Sequence, residues 1–369
     1  MKAAQVPAQR APGARLLVVD AAGRMVHAAR ARLADFLQPG DVLVANDAAT
    51  LPASLSGVHR PTGRGVEVRL AGRRSLAVDD VRNFTAVVFG EGDHRTRTED
   101  RPQPPVLATG DALALGPLRA TVLGLLGHPR LVSLRFEGDV DAVWAGIARH
   151  GRPIQYAHVP APLALWDVWT RVAALAVAFE PPSAGFVLDW ALLSALKARG
   201  VAFATLTHAA GISSTGDDAL DARLPLDEAY DLPAPTVRAI LRTREHGGRV
   251  VALGTTVTRA LEHAASRGRL RAGPGLADQR LGAGTRLRLV DAIISGTHEP
   301  GTSHYELLRA FASDTVLRRA SAELDRAGYL THEFGDTVLL ESAAVARQRR
   351  GSATPRPQTM PPAIVLCPG

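Results

Sequence analysis

The residues best suited to chemistry stand at the ends of apolar segments that have the pattern of strands. His208 follows "VAFATLT", His298 follows "VDAIISGT", and Glu333 lies in "LTHEFGDTVLLE". Ligands of α/β folds bind beyond the carboxyl ends of strands. We therefore predict a site where such side chains meet, with Glu333 as a possible general base. An exposed turn is an equal interpretation of Glu333, and a plain loop an equal interpretation of His298.

Two histidines and two glutamates in "SGTHEPGTSHYELL" (295–308) raise the question of a metal site. A zinc protease helix needs two histidines one turn apart with a glutamate between them. Here a Pro-Gly pair separates the histidines, so one helix cannot carry both. The segment instead predicts a helix from His304, with Ser303 as N-cap and Glu306 completing a capping box. We expect no metal.

A third candidate is the start of the helix in "GTTVTRALE" (254–262). Gly254, Thr255 and Thr256 end an apolar strand and open a helix that carries Arg259. Backbone N–H groups and hydroxyls at a helix start can receive a carboxylate or a phosphate. An ordinary N-cap is the simpler interpretation of either threonine taken alone.

The elements around these residues predict an α/β protein. A hairpin pattern near the start and alternating strand and helix patterns after residue 150 indicate a mixed α/β main domain, residues 1–56 and 150–345. Short β-rich runs at turn-like spacing indicate an inserted antiparallel module at 57–149. A polar, Pro-rich tail at 346–369 is predicted to be disordered. The pattern "SHYELLRAFASDTVLRRASAELDRAG" predicts one helix, and "RLRLVDAIISG" predicts one strand.

Composition excludes several classes of protein. The chain of 369 residues has one cysteine, Cys367, so a disulfide framework and a thiolate metal cluster are excluded. No run approaches the roughly 20 apolar residues of a membrane span, and we expect a cytoplasmic protein. A net charge of +7 suits a phosphate-bearing partner, although a solvated arginine surface explains the charge as well.

Several motifs, in the same order along the chain, resemble one family: the S-adenosylmethionine:tRNA ribosyltransferase-isomerases of the queuosine pathway. The resemblance extends from about residue 15 to 341. The motifs are "GDVLVANDAATLPASL" (40–55), "PSAGFVL" (182–188), "LTHAAG" (206–211), "DEAYDLP" (227–233), "GTTVTRALE" (254–262), "VDAIISGTHEP" (290–300) and "FGDTVLL" (334–340).

The resemblance implies an α/β domain interrupted by a small antiparallel β-barrel, and it implies a reaction. The sulfonium of S-adenosylmethionine makes the adjacent ribose carbon acidic and electrophilic. A base removes a proton there, the aminomethyl group of a deazaguanine in tRNA attacks, and the ribosyl unit is transferred while methionine and adenine leave. S-adenosylmethionine is thus a donor substrate and tRNA a partner. No metal or membrane is implied, and a monomer is favoured.

The resemblance also implies roles for residues. His208, His298 and Glu333 are the acid or base candidates, and Thr255, Thr256 and Arg259 would hold the methionyl carboxylate or the ribose. The other residues expected to bind the adenosyl substrate are Asn46, Ser183, Gly185, Gly211, Gly254, Asp291 and Asp336, of which Asp291 is either structural or a ribose ligand.

The chain departs from the family pattern at polar positions. Ala49 stands where the family has a cationic residue, and Val187 and Leu226 stand where it has histidines. These changes indicate a divergent paralogue. Two alternatives follow: transfer to a small-molecule acceptor, or a non-catalytic protein that binds nucleotides or RNA.

Overall fold

A nine-stranded mixed sheet forms the centre of the protein. The structure is a computed structural model that describes residues 1–8 and 13–342, so the predicted tail at 346–369 and Cys367 lie outside the described residues. In chain order the strands are β1 (Lys2–Ala3), β2 (Arg15–Val19), β3 (Met25–Ala29), β4 (Val42–Asn46), β5 (Ala48–Thr50), β6 (Ser54–His59), β7 (Gly65–Gly72), β8 (Asn83–Gly90), β9 (Ala112–Leu115), β10 (Leu118–His128), β11 (Leu131–Phe136), β12 (Leu175–Ala178), β13 (Ala202–His208), β14 (Glu228–Leu232), β15 (Val250–Leu253), β16 (Gly273–Ala277), β17 (Ala292–Gly296), β18 (Leu330–Thr331) and β19 (Thr337–Glu341).

The helices follow the strand-helix alternation of the main domain. They are α1 (Val140–His150), α2 (Leu165–Val168), α3 (Trp190–Ala198), α4 (Asp218–Asp221), α5 (Ala234–Glu245), α6 (Thr255–Ser266), α7 (Ser303–Leu308) and α8 (Asp314–Arg326). Short 3-10 helices span Arg30–Phe36, Val78–Asp80, Thr98–Asp100 and Ser183–Val187.

The strand order of the large sheet is β16-β14-β13-β4-β15-β17-β19-β2-β3. Strands β13, β4, β15 and β17 are parallel to one another. Their carboxyl ends therefore lie along one edge of the sheet. Strand β19 is antiparallel to β17, with Thr337 opposite Gly296, so the residues just before β19 reach the same edge.

Both faces of the central strands are covered, because successive side chains of a strand point to opposite faces. Val42 and Val44 of β4 pack in the core formed with α5, α6 and α8. Leu43 and Ala45 of the same strand pack in a second core, with α3 and the 3-10 helix Arg30–Phe36. The continuous apolar run "VLVA" is thus the pattern of a strand buried on both faces.

A closed antiparallel barrel interrupts the main domain, as the fold class predicts. Its strand order is β10-β11-β8-β7-β6-β9. Helix α1, capped by Asp139, follows the last barrel strand and adds Val143 and Ile147 to the barrel core. We propose that the insertion consists of the barrel and this helix, close to the predicted 57–149.

The prediction of a single helix over residues 303–328 is wrong. The segment forms two helices, because Ser313 has extended backbone angles and caps α8 by accepting from the Val316 N–H. The predicted cap at Ser303 is also wrong, since Thr302 accepts from Tyr305 N and caps α7. Glu306 pairs with Arg309 instead of closing a capping box.

The strand predicted over residues 286–296 is shorter than expected. Only Ala292–Gly296 joins the sheet. The segment before it is held by the Glu262 carboxylate, which accepts from the backbone N–H groups of Arg288, Leu289 and Val290. Separately, among the described residues, none of the helices is both long and apolar enough to span a membrane.

Candidate functional site

A cavity of about 290 Å³ opens at the carboxyl edge of the parallel strands. Its wall is built from the loops that follow β12, β13, β15 and β17 and from the loop that precedes β19. The polar side chains in this wall are Tyr156, Glu180, Ser183, Ser213, Ser214, Glu228, Thr255, Thr256, Arg259, Ser295, Thr297, His298, Glu299, Thr302, Ser303, His304, Thr331, His332 and Glu333.

Glu180, at the end of the segment that follows β12, carries a carboxyl group suited to proton transfer. The Tyr156 hydroxyl donates to its Oε1 atom. That hydroxyl also lies 3.4 Å from Ser213 Oγ and 3.2 Å from the Ser214 carbonyl. Burial raises the pKa of Glu180 to about 7, although hydrogen bonds from Tyr156 and Ser213 act in the opposite direction. The group therefore changes protonation state near neutral pH.

Glu333 lines the same cavity, but the pKa of its carboxyl group is shifted in the opposite direction. His158 Nε2 is 3.1 Å from Glu333 Oε2. Burial alone would raise the pKa of Glu333, but the His158 hydrogen bond and charge lower it. His332 stacks on His158 with ring centroids 4.3 Å apart, and one potential ligand atom from each of the three side chains lies within 4.8 Å of the others. A metal ion fits the chemistry of these donors.

His298 also lines the cavity, after β17. Its Nε2 atom is 2.8 Å from Ser295 Oγ, and its ring stacks on His304 at a centroid distance of 4.8 Å. Burial, with smaller contributions from His304 and His332, holds the pKa of His298 well below its usual value. The imidazole is therefore neutral at pH 7 and acts as a hydrogen-bonding group.

His208 lies behind this wall. It is fully buried, and its Nε2 atom is 3.5 Å from Glu228 Oε2. Glu228 in turn accepts from the Gly211 N–H at 2.6 Å and from Arg259. Burial, with the positive charge of Arg259 adding to it, lowers the pKa of His208 well below its usual value. His208 contacts the site through Glu228.

The guanidinium of Arg259 lines the cavity but is already held by the protein. Besides Glu228, it donates to the carbonyl oxygens of Leu226, Ala277 and Gln279. The guanidinium, held by these carbonyl oxygens, donates to Glu228 Oε2 and so orients that carboxylate.

The start of α6 faces the cavity through Gly254, Thr255 and Thr256. Gly254 has φ 100°, a left-handed angle that favours glycine, and it occupies the N-cap position, so neither threonine is the cap. A Cβ added at Gly254 would lie 3.3 Å from the Cβ of Ala184. The close approach brings Ser183 and the helix start into one wall.

Besides His208, four residues that the sequence singled out do not line the cavity. Asn46 bonds to the backbone of His208 and Ala48, and Asp291 accepts from Val250 N. Gly185 packs on Thr170, where an added Cβ would come within 2.8 Å of Cγ2. The fourth is Asp336, which accepts from Arg15 and from Leu330 N.

Sequence reasoning did not find Tyr156, His158 and Glu180. The first two lie in a Pro-punctuated connector without a periodic pattern. Glu180 does carry a signal, because it is the first charged residue after the apolar run "LAVAF".

The chain is similar to known proteins along nearly all of its length. A family model described as "Queuosine biosynthesis protein" matches residues 1–340. The S-adenosylmethionine:tRNA ribosyltransferase-isomerase of Azoarcus sp. strain BH72 is 36% identical over 349 residues, which cover 91% of this chain and 93% of the relative. The protein of the same name from Pelobacter propionicus is 32% identical over 348 residues, covering 92% and 96%.

Among solved structures, the S-adenosylmethionine tRNA ribosyltransferase of Thermotoga maritima is 25% identical and covers 91% of this chain and 95% of its own, with a TM-score of 0.47. The family match over residues 1–340 and the two relatives above 30% identity lead to one assignment. The chain belongs to the queuosine biosynthesis protein family.

Proposed function

We propose that this protein is an S-adenosylmethionine:tRNA ribosyltransferase-isomerase. It moves the ribosyl part of S-adenosylmethionine to the aminomethyl-deazaguanine base of a tRNA and releases adenine and methionine. The family membership and the names of the relatives support the substrates. Since tRNA is the partner, we also propose a cytoplasmic location.

The observation that carries the proposal is that two of the carboxyl groups lining the cavity, those of Glu180 and Glu333, have pKa values shifted in opposite directions. The reaction begins with removal of a proton from the ribose carbon next to the sulfonium. A base is most effective when its pKa lies near the working pH, and Glu180 has a pKa of about 7. We propose Glu180 as this base, with Tyr156 orienting its carboxylate. Glu333, ionised at neutral pH, would face the positive sulfonium or a positively charged intermediate.

Binding of the donor is proposed for the part of the cavity wall at the start of α6. The N–H groups and hydroxyls of Thr255 and Thr256 at the start of α6 suit the methionyl carboxylate. Ser183 and Gly211 line the cavity beside them. Because its donors are occupied, Arg259 is proposed to position Glu228, and His208 to support the same carboxylate. His298 in its neutral form would hydrogen-bond to the ribose.

Mass spectrometry tests the function directly. The purified protein is incubated with S-adenosylmethionine, with and without a tRNA that carries the aminomethyl-deazaguanine base. Release of adenine and methionine only with that tRNA, together with a mass gain on the base, is the expected result. Unmodified tRNA of the same sequence is the matched control.

Two other outcomes would contradict the proposal. Donor release with a small-molecule amine but not with tRNA would indicate a different acceptor. Binding of S-adenosylmethionine or tRNA without any release would indicate a non-catalytic binding protein.

A further inference from the structure

Three side chains from distant parts of the chain meet at the cavity, and two of them lie in its wall. His158 lies in the connector after α1, whereas His332 and Glu333 precede β19; His158 and Glu333 are 175 residues apart in sequence. One nitrogen from each histidine and one carboxylate oxygen lie within 4.8 Å of one another. His332 and Glu333 line the cavity itself.

The chemistry of the three donors is that of a transition-metal site. Two imidazoles and one carboxylate bind zinc in catalytic sites, where a fourth position stays open for water or substrate. At metal-ligand bonds of about 2.0–2.2 Å, ligand atoms around a tetrahedral ion stand roughly 3.3–3.5 Å apart. His158 Nε2 and Glu333 Oε2 are already 3.1 Å apart. The third donor atom, on His332, lies within 4.8 Å of these two atoms, and the His332 ring must turn out of its stack on His158 to aim a nitrogen at the ion.

The backbone of His332 supports a specific role for this side chain. Among the described residues, His332 is the one non-glycine residue with a positive φ, at 68°. A left-handed angle is costly for a residue with a Cβ, and such angles cluster at functional sites. Here the angle brings the His332 ring to stack on His158. A packing role alone does not account for it, because His332 is exposed to solvent.

We propose that His158, His332 and Glu333 form a binding site for one divalent transition-metal ion of the zinc type, with a coordination position open to the cavity. The site goes beyond the proposed ribosyl transfer, and metal binding does not require that reaction. Glu333 would act either as a metal ligand or as the free carboxylate proposed above, and not as both at once. The site departs from the expectation of no metal, which rested on the motif at 295–308, on the single cysteine and on the family resemblance. Ligands from two segments so far apart leave no spacing pattern to recognise.

Titration with Co²⁺ tests the site without any substrate, so the result is independent of ribosyl transfer. The metal-free protein is titrated with Co²⁺ while visible absorption and binding heat are recorded, and Zn²⁺ is then added as a competitor. We expect one equivalent of Co²⁺ per chain, with the visible bands of a low-coordinate Co²⁺ ion that Zn²⁺ abolishes. Two variants remove ligands: His332→Gly, in which glycine suits the positive φ, and Glu333→Gln, which keeps the side-chain shape.

Each ligand variant should bind Co²⁺ more than about 10-fold more weakly, since even changes outside the first coordination shell cost about 10–100-fold. The matched control is His246→Ala, because His246 is exposed and its Nδ1 atom lies 2.8 Å from the Arg242 carbonyl oxygen of α5. This control should bind as the wild type does. Circular dichroism checks that each variant is folded. Absence of Co²⁺ binding by the wild type, or equal binding by folded His332→Gly and Glu333→Gln, would overturn the proposal.

Discussion

Glu180 and Glu333 are the same residue type in one cavity, yet their carboxyl pKa values are shifted in opposite directions. Burial decides the direction for Glu180, whereas the hydrogen bond and charge of His158 decide it for Glu333. A pair of carboxyl groups separated in this way can act as a base and as a fixed negative charge. We therefore propose Glu180 as the base in place of the predicted candidates, because His208 and His298 both have strongly lowered pKa values and the pKa of Glu333 is also lowered.

The pH profile tests this assignment. The base must be ionised, so the turnover rate should rise with pH, with an apparent pKa of about 7, and fall as pH drops through that value. Glu180→Gln should lower the turnover rate by about 10²–10⁴-fold, the range expected for loss of a general base. Tyr156→Phe removes a hydrogen bond that lowers the pKa of Glu180, so the rise should move to higher pH.

A matched control for these variants is Glu245→Gln, on the exposed side of α5. It should leave the rate and the profile unchanged. A Glu180→Gln protein with the wild-type rate, or a Tyr156→Phe profile at the wild-type pH, would exclude Glu180 as the base.

At the scale of an element, strand β7 places an ion-pair network on the outer face of the barrel, opposite the face whose side chains fill the barrel core. Glu67 accepts from Arg69 Nε at 2.8 Å, from Ser54 Oγ at 2.7 Å and from Arg101. Burial opposes ionisation of Glu67, but the two arginines outweigh it and lower the pKa of its carboxyl group. Both guanidinium groups also lie against the Phe89 ring. Removal of the carboxylate would leave two buried cations without their counterion.

Glu67→Gln should therefore lower the free energy of unfolding by about 3–5 kcal/mol, the usual cost of breaking a buried pair. Urea unfolding followed by circular dichroism measures the change. Asp93→Asn is the control, because Asp93 and Arg95 form an exposed pair at 3.7 Å and such pairs contribute about 1 kcal/mol or less. An equal, small effect of both substitutions would refute a structural role for the network.

The elements predictable from the sequence are those whose pattern is set by burial. The strand "VLVAN", helix α5 and helix α6 all have apolar spacing that matches the faces they bury. The break at Ser313 was missed because the apolar spacing continues through residues 303–326, and the cap competes with it only locally. Residues 286–290 look like a strand because charged and apolar residues alternate there, but the Glu262 carboxylate accepts from the N–H groups of residues 288–290.

The site was predictable in part, at the positions that follow or precede strands. Strand ends identified His298, Glu333 and the start of α6, which all reach the cavity. Asp291 and Asp336 also stand beside strands, yet they bond to backbone N–H groups and not to the cavity. A sequence does not distinguish a carboxylate that closes a turn from one that faces a ligand. Tyr156 and His158 lie in a connector whose path is fixed only by tertiary contacts.

At the scale of the whole molecule, charge bears on the choice of acceptor. The chain has 43 lysine and arginine residues against 36 aspartate and glutamate residues, a net charge of +7. A protein that neutralises phosphates with cationic side chains releases counterions when it binds. A small-molecule acceptor would bind only within the cavity and would not contact the cationic side chains elsewhere on the protein.

The affinity for tRNA should consequently fall steeply with salt. A plot of log K against log salt concentration should be linear, with a slope of about −0.7 to −0.9 for each phosphate neutralised. Fluorescence anisotropy of a labelled tRNA, measured over a series of KCl concentrations, gives this slope. S-adenosylmethionine binding by calorimetry in the same buffers is the control and should change little, because the donor carries no phosphate. A tRNA affinity independent of salt would mean that the excess arginine side chains are solvated and do not contact tRNA phosphates. A small-molecule acceptor, bound wholly within the cavity, would then be favoured over tRNA.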